Sequence, residues 1–156
     1  IWIFGFSYRL VRVQMRYVVD TNIINWLVDG AIHPEKLPND GQFVATHVQV
    51  DELNGTQDKE RRAQLFLKFT ATVDDVVPTE SMVVGISRIG LSKISDGTLY
   101  YSLKGALDNK RNKRNNAQDA LIAEVAIKNN YVLLTADGDL SEVAKHHGCT
   151  VKHFAL

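Results

Sequence analysis

A three-layer α/β sandwich, with a central mainly parallel sheet and helices on both faces, is the fold class this chain predicts, and three observations predict it. Short, uninterrupted apolar runs recur along the chain, as in strands buried on both faces. Amphipathic stretches of helical period separate these runs. Strand and helix alternate from one end to the other, which selects a parallel sheet wrapped by helices. At 156 residues with 45% hydrophobic content, the chain is long enough for one proper core and too short for two domains of ordinary size.

The elements follow in order. Residues 1–14, IWIFGFSYRLVRVQ, lack an initial methionine and are rich in aromatics, whereas Met15 begins MRYVVDTN as a natural start would. They read as a leader or extension outside the fold, with an edge strand or docking arm as the other reading. Their apolar part is too short to span a bilayer, and no membrane association is expected. The domain is therefore expected over residues 15–156. Tyr17, Val18 and Val19 form a first buried strand. Ile23, Ile24, Trp26, Leu27 and Val28 crowd one side of a short helix that Gly30 ends, and Pro34 and Pro38 keep the next segment irregular.

FVAT at 43–46 is a second strand, HVQVDELNG a short helix stopping at Gly55, and Thr56 to about Thr70 a surface helix with one buried side. The stretch after it is compatible with a strand near Val76 or with a helix opened by Thr79, followed by a loop near 92–98. A helix from Leu99 through Leu107 precedes DNKRNKRNN. AQDALIAEVAIKNN is a buried helix, YVLLTA the cleanest strand, DLSEVAKHHG a helix, and TVKHF a last strand.

Charge and cysteine content narrow the partners. Eighteen basic residues balance eighteen acidic ones, so affinity for a polyanion has to come from a local patch and not from the whole-molecule field. The single cysteine, Cys149, excludes an internal disulfide framework and fits a reducing, cytoplasmic setting.

Ligands of such sheets bind beyond the carboxyl ends of the strands. Asp20 ends the first strand and Asp137 ends YVLLTA, so neighbouring strands would bring the two carboxylates together. Asp-Thr-Asn after a strand is also an ordinary helix cap. Glu52 and Asp119 change the balance: Glu52 shares a helical face with Val48 and Leu53, and Asp119 directly precedes Ala120 and Leu121. Neither has an obvious basic partner along its helix. Acids are seldom buried unless paired or coordinated, and several brought together repel one another. A hard divalent cation, Mg2+ or Mn2+, relieves that repulsion through oxygen ligands. One or two ions would then support in-line displacement at a phosphate.

With these residues identified, the chain from Met15 to about Phe154 resembles a PIN domain, the Rossmann-like metal-dependent ribonuclease fold of VapC-type toxins. VVDTN resembles the opening strand with Asp20, VQVDEL the short helix with Glu52, NAQDALIAEVA the helix with Asp119, and LLTADGDL the closing strand and turn with Asp137 and an additional acid, Asp139. The resemblance implies an endoribonuclease in which Asp20, Glu52, Asp119 and Asp137 bind Mg2+ or Mn2+, with Asp139 as a further ligand. It also implies an RNA substrate, a small antitoxin that covers the acidic site, and a homodimer. Ala136 departs from the family's frequent polar or basic residue there, and residues 79–116 are longer and more irregular than in compact members.

Asp51 is the alternative to Glu52, with the apolar spacing favouring Glu52 as the inward side chain. Asn22 and Thr135 flank matched acids and are read either as orienting water or phosphate or as ordinary caps. Lys104, Lys110, Arg111, Lys113 and Arg114 face only Asp108 in KGALDNKRNKRNN. Such a run is a solvated loop or, beside a metal site, a phosphate-neutralising patch; Lys110, Arg111, Lys113 and Arg114 are the candidate RNA contacts. Unpaired RNA suits it better than a duplex interior. KHHGCTVKH imitates a zinc cluster, but His146 and His147 suit a helix C-terminus and Gly148 its stop. A haloacid dehalogenase phosphatase would require an acid where Asn22 stands, and a Toprim nuclease would place its glutamate before Asp20. A non-cleaving module that holds RNA or a partner is the alternative function.

Overall fold

Five short strands, each no longer than five residues, build one entirely parallel sheet in the computed structural model, which describes residues 14–156. The expectation that residues 1–14 form a leader concerns residues outside those described, Gln14 excepted. The strands are β1 (Met15–Val19), β2 (Gly41–Ala45), β3 (Asp75–Val76), β4 (Val132–Thr135) and β5 (Val151–His153), in the spatial order β3-β2-β1-β4-β5. The helices are α1 (Thr21–Asp29), α2 (His47–Asn54), α3 (Lys59–Thr72), α4 (Thr98–Lys110), α5 (Asn116–Asn129) and α6 (Gly138–His146).

The pleat divides the core into two. Val18 pairs in register with Val44 and Leu133, and all three join Leu103, Leu107, Leu121 and Val125 of α4 and α5. Tyr17, Val19, Ala45, Val132 and Leu134 turn the other way, against Ile23, Ile24, Leu53 and Leu65 of α1, α2 and α3. Apolar side chains on both faces are what a parallel sheet covered on both sides requires. Truncating one of the fully buried leucines, such as Leu133, costs about 2–5 kcal/mol.

Chain order reverses between β1 and β4: β1 leads outward to β2 and β3, whereas β4 leads to β5 on the opposite side. That is the switch point of an open α/β sheet, and it places the ends of β1 and β4 side by side, Val19 against Leu134.

Local chemistry explains most boundaries. Gly30, at φ 75°, closes α1 in the left-handed conformation that glycine adopts without strain. Thr46, expected as the end of a strand, is the N-cap of α2, where its hydroxyl accepts from Val48 N and Gln49 closes a capping box. The surface helix begins only after its Asp58 cap and runs to Thr72. Of the two readings near residue 76, the strand is present, as the two-residue β3. Thr79 opens no helix; its amide donates to Leu91 O and its carbonyl accepts from Lys93 N. The helix expected to end at Leu107 continues to Lys110. Among the described residues, no helix is long and apolar enough to cross a membrane.

Candidate active site

Asp20 follows β1 at the N-cap position of α1, yet its side chain makes no capping bond. It is 4% exposed, and its Oδ2 accepts from the Thr135 hydroxyl at 2.7 Å. Thr135 in turn accepts from the Asp137 amide at 3.0 Å, so one buried hydroxyl ties the end of β1 to the end of β4. Asp137 is a true cap: its Oδ1 accepts from Asp139 N and Leu140 N at 3.0 and 3.1 Å, leaving Oδ2 for other partners.

Glu52 enters from α2. Asp51 points away and pairs with Arg88 at 2.6 Å, which leaves Glu52 as the inward acid, its Oε1 buried and without a hydrogen-bond partner. Asp119 enters from the first turn of α5, 3% exposed. Asp20, Glu52, Asp119 and Asp137 line one cavity of about 210 Å3, together with Thr21, Asn22, Asn25 and Asn115.

The cavity's counter-charge comes from a residue expected on the surface. Arg111 Nη2 donates to Asp119 Oδ2 at 2.6 Å and Nη1 to Asp137 Oδ2, with its side chain only 6% exposed. Asn116, also buried, accepts from Arg111 Nε at 2.8 Å and donates to Asp108 at 2.9 Å, which holds the guanidinium plane in place. The rest of the basic run is dispersed. Lys110 pairs with Glu142 at 2.8 Å, Lys113 stands 3.8 Å from Asp137, and Arg114 is exposed.

Of the three remaining candidates, Asn22 and Thr135 make ordinary hydrogen bonds, one of their two expected readings, and Asp139 stands apart from the other acids. Thr135 is fully buried, so it positions acids and cannot touch RNA. Asn22 accepts from Ala136 N at 3.0 Å and reaches Thr135 Oγ1 at 3.4 Å, bracing the two strand ends while still lining the cavity. Asp139 is 46% exposed and lines a neighbouring cavity instead of the acid cavity. The asparagines of this stretch were expected as contacts to bases or sugars; instead Asn116, the first residue of α5, braces Arg111, and Asn115 lines the acid cavity.

Electrostatics show strain that one arginine does not remove. Burial raises Glu52 from 4.5 to about 7, and the charge of Asp20 adds to the rise. Ionising Glu52 is therefore disfavoured by roughly 3 kcal/mol. Burial also raises Asp20, against the bond from Thr135 and with a contribution from Asp137. Asp119 is pushed up by burial and by the charges of Asp20 and Glu52, even with Arg111 beside it. At Asp137, burial works upward, but the bonds from Arg111 and the Leu140 amide outweigh it and hold the group below its ordinary range.

The donor set suits a hard divalent cation: several carboxylate oxygens, one of them buried and unpartnered, in a polar cavity. The arrangement itself is closed by arginine. Among the described residues, no three His, Cys, Asp or Glu side chains converge closely enough to hold an ion as they stand.

No protein-family model matches the chain, and no curated protein matches it. Solved structures do. VapBC2 from Rickettsia felis, determined bound to a DNA fragment from its promoter, is 18% identical with a TM-score of 0.57, covering 89% of this chain and 98% of the other. A domain of a functionally unknown protein from Methanocaldococcus jannaschii is 20% identical with a TM-score of 0.50, covering 90% and 91%. VapBC-5 from Mycobacterium tuberculosis, a member of the VapBC family of toxin-antitoxin systems, is 20% identical with a TM-score of 0.49, covering 90% and 98%. With its parallel five-stranded sheet, its switch point between β1 and β4 and this likeness over nine-tenths of its length, the chain has the PIN-like fold of VapC-type proteins.

Proposed function

We propose that the protein is a Mg2+- or Mn2+-dependent endoribonuclease and the toxin of a toxin–antitoxin pair. The observation that carries this is the convergence of Asp20, Glu52, Asp119 and Asp137, from four separate elements, on one cavity at the switch point. Asp20, Glu52 and Asp119 would hold the ion, with Asp137 at the rim. A bound ion would supply an activated water and charge stabilisation at the scissile phosphate.

The chain's own residues do the rest. Thr135 holds Asp20 in place by donating to Oδ2, which keeps the outer oxygen directed at the cavity. Glu52 Oε1, buried and without a hydrogen-bond partner among the described residues, would be available to the ion. Arg111 donates to both Asp119 and Asp137 and so balances their charge. Were Asp119 to hold an ion, the guanidinium donor now bonded to it would be free for a phosphate oxygen. Lys113, 53% exposed at the rim, adds positive charge for the RNA backbone.

The Rickettsia felis neighbour is a VapBC2 assembly, which supports a protein partner here too. An antitoxin would cover the acidic cavity, and the toxin would act as a homodimer. Purified protein is expected to cleave RNA when Mg2+ or Mn2+ is added and to stop when a chelator is added. Asp20→Asn should lower the rate by at least two orders of magnitude while leaving the fold intact by circular dichroism. Metal-independent cleavage, or full activity in that variant, refutes the reading.

One observation favours the second reading, a PIN-like module that holds RNA or a partner without cutting it. The salt bridges of Arg111 already satisfy two of the four acids. Calorimetry separates the two: a protein that binds neither Mg2+ nor Mn2+ at millimolar concentration is the non-cleaving module.

A further inference from the structure

A second cavity, wider at about 440 Å3, adjoins the acid cavity, shares Asn22 and Asp137 with it and is further lined by Trp26, Lys113 and Asp139. Asn22 and Trp26 lie four residues apart on α1, one above the other on the same helix face. Trp26 is therefore about one helical turn, ~5.4 Å, farther from the acids than Asn22. It is only half-buried, packed against the core on one side and lining the cavity on another.

Lys113 also lines this cavity, from the segment joining α4 to α5. Its 3.8 Å contact with Asp137, with the lysine side chain half-exposed, is too loose to hold it. On the other flank, the cavity that shares Glu52 has neither an aromatic ring nor a basic side chain among its lining residues. Among the described residues, only the Trp26 side combines an aromatic surface, a loosely held cation and an amide next to the proposed cutting site.

We infer that this cavity is a nucleotide subsite for single-stranded RNA: the indole of Trp26 stacks on an unpaired base adjoining the scissile phosphate, and Lys113 binds the phosphate that follows. The inference rests on the nuclease reading for the position of the scissile phosphate. A base inside a duplex is already stacked on both faces, so the subsite selects unpaired RNA. Every base has a π-face, so it does so with little regard to sequence.

The test uses the full chain with Trp2→Phe, which leaves Trp26 as the remaining one of two tryptophans. A short single-stranded RNA of mixed sequence is titrated at low salt in chelator, where no cleavage occurs, and the fluorescence of Trp26 is followed. Binding is expected to quench it. Trp26→Leu should weaken binding about 5- to 150-fold, and Trp26→Phe should restore most of the affinity. Lys113→Ala, on the surface, should reduce the slope of log K against log salt by about 1. A blunt RNA duplex should compete poorly.

Absence of binding, binding without quenching, or a Trp26→Leu variant that binds like the parent overturns the subsite. Binding through Trp26 in a protein that never cleaves with Mg2+ or Mn2+ refutes the nuclease reading and leaves the subsite standing. Metal-dependent cleavage whose KM is unchanged in Trp26→Leu refutes the subsite alone.

Discussion

Helix α5 carries two buried carboxylates only five residues apart, Asp119 and Glu124; burial raises both, and Glu124 too keeps one unpartnered oxygen, but the charges around them differ. Glu124 is fully buried, accepts from Ser81 at 2.8 Å and lies 3.7 Å from Lys128. Nearby Glu80 accepts from Lys93 at 3.0 Å and Asn129 at 2.8 Å. Two acids thus meet two lysines and neutral donors, and the cluster fastens the 79–97 segment to α5. Asp119 shares its cavity with three other acids, and one arginine is the only buried cation bonded to them among the described residues. Burial of an acid is therefore no mark of function by itself. A surplus of acids over local cations is, because the cavity then has a standing demand for positive charge.

Removing Arg111 should produce the largest effect. Arg111→Met leaves Asp119 and Asp137 buried without their partner, and is expected to cost the metal-free protein about 3–5 kcal/mol in a denaturant titration. Added Mg2+ or Mn2+ should recover much of the loss, since an ion can take over the guanidinium's charge. A variant as stable as the parent in chelator would show that the acids do not need that charge.

An intermediate effect concerns pH. Glu52 is raised to about 7, with Asp20 and Asp119 also raised. Between the ordinary carboxylate range and those values, the folded state binds more protons than the unfolded chain. Stability of the metal-free protein should therefore fall as pH rises from about 4.5 to 7, by roughly 3 kcal/mol from Glu52 alone. Asp137 has the opposite sign and loses its contribution only below its ordinary range. Thermal melts at pH 5 and pH 8, with and without Mn2+, check this: the ion should raise Tm more at pH 8. Equal Tm at both pH values in chelator would contradict the burial of these acids.

The smallest effect belongs to the balanced cluster. Lys93 is 53% exposed where it meets Glu80, so Lys93→Ala should cost no more than about 1 kcal/mol. RNA cleavage should be unchanged and Mn2+ should not compensate. A metal-dependent rescue there would erase the distinction between the two ends of α5.

Much of the site was legible before the structure. Asp20 and Asp137 follow apolar strands, and Glu52 and Asp119 stand among apolar neighbours on their helices, so periodicity turns them inward and the resemblance to PIN domains groups the four as one site. Residues whose roles depend on long or branched side chains were not legible in that way. Arg111 belongs to a run of surface-like character, and nothing in its spacing shows that its guanidinium folds back under α5. Thr135 stands beside a matched acid in the chain, but only the structure shows its hydroxyl joining the Asp20 carboxylate to the Asp137 amide. Asp139 follows Asp137 closely in sequence, yet α6 carries it round to the next cavity.

Unaided, the amino-acid sequence determined the layers, the parallel sheet and the inward turn of the acids, because alternation and helical period dictate which side of each element faces the core; the strand order that brings Asp20 beside Asp137 is tertiary. The tertiary structure alone decided what neutralises those acids and what stands beside them. Ion pairs such as Arg111 with Asp119 and Asp137, and the nearness of Trp26 to Lys113, arise between separate elements whose distance apart is set by packing and leaves no periodic trace in the chain.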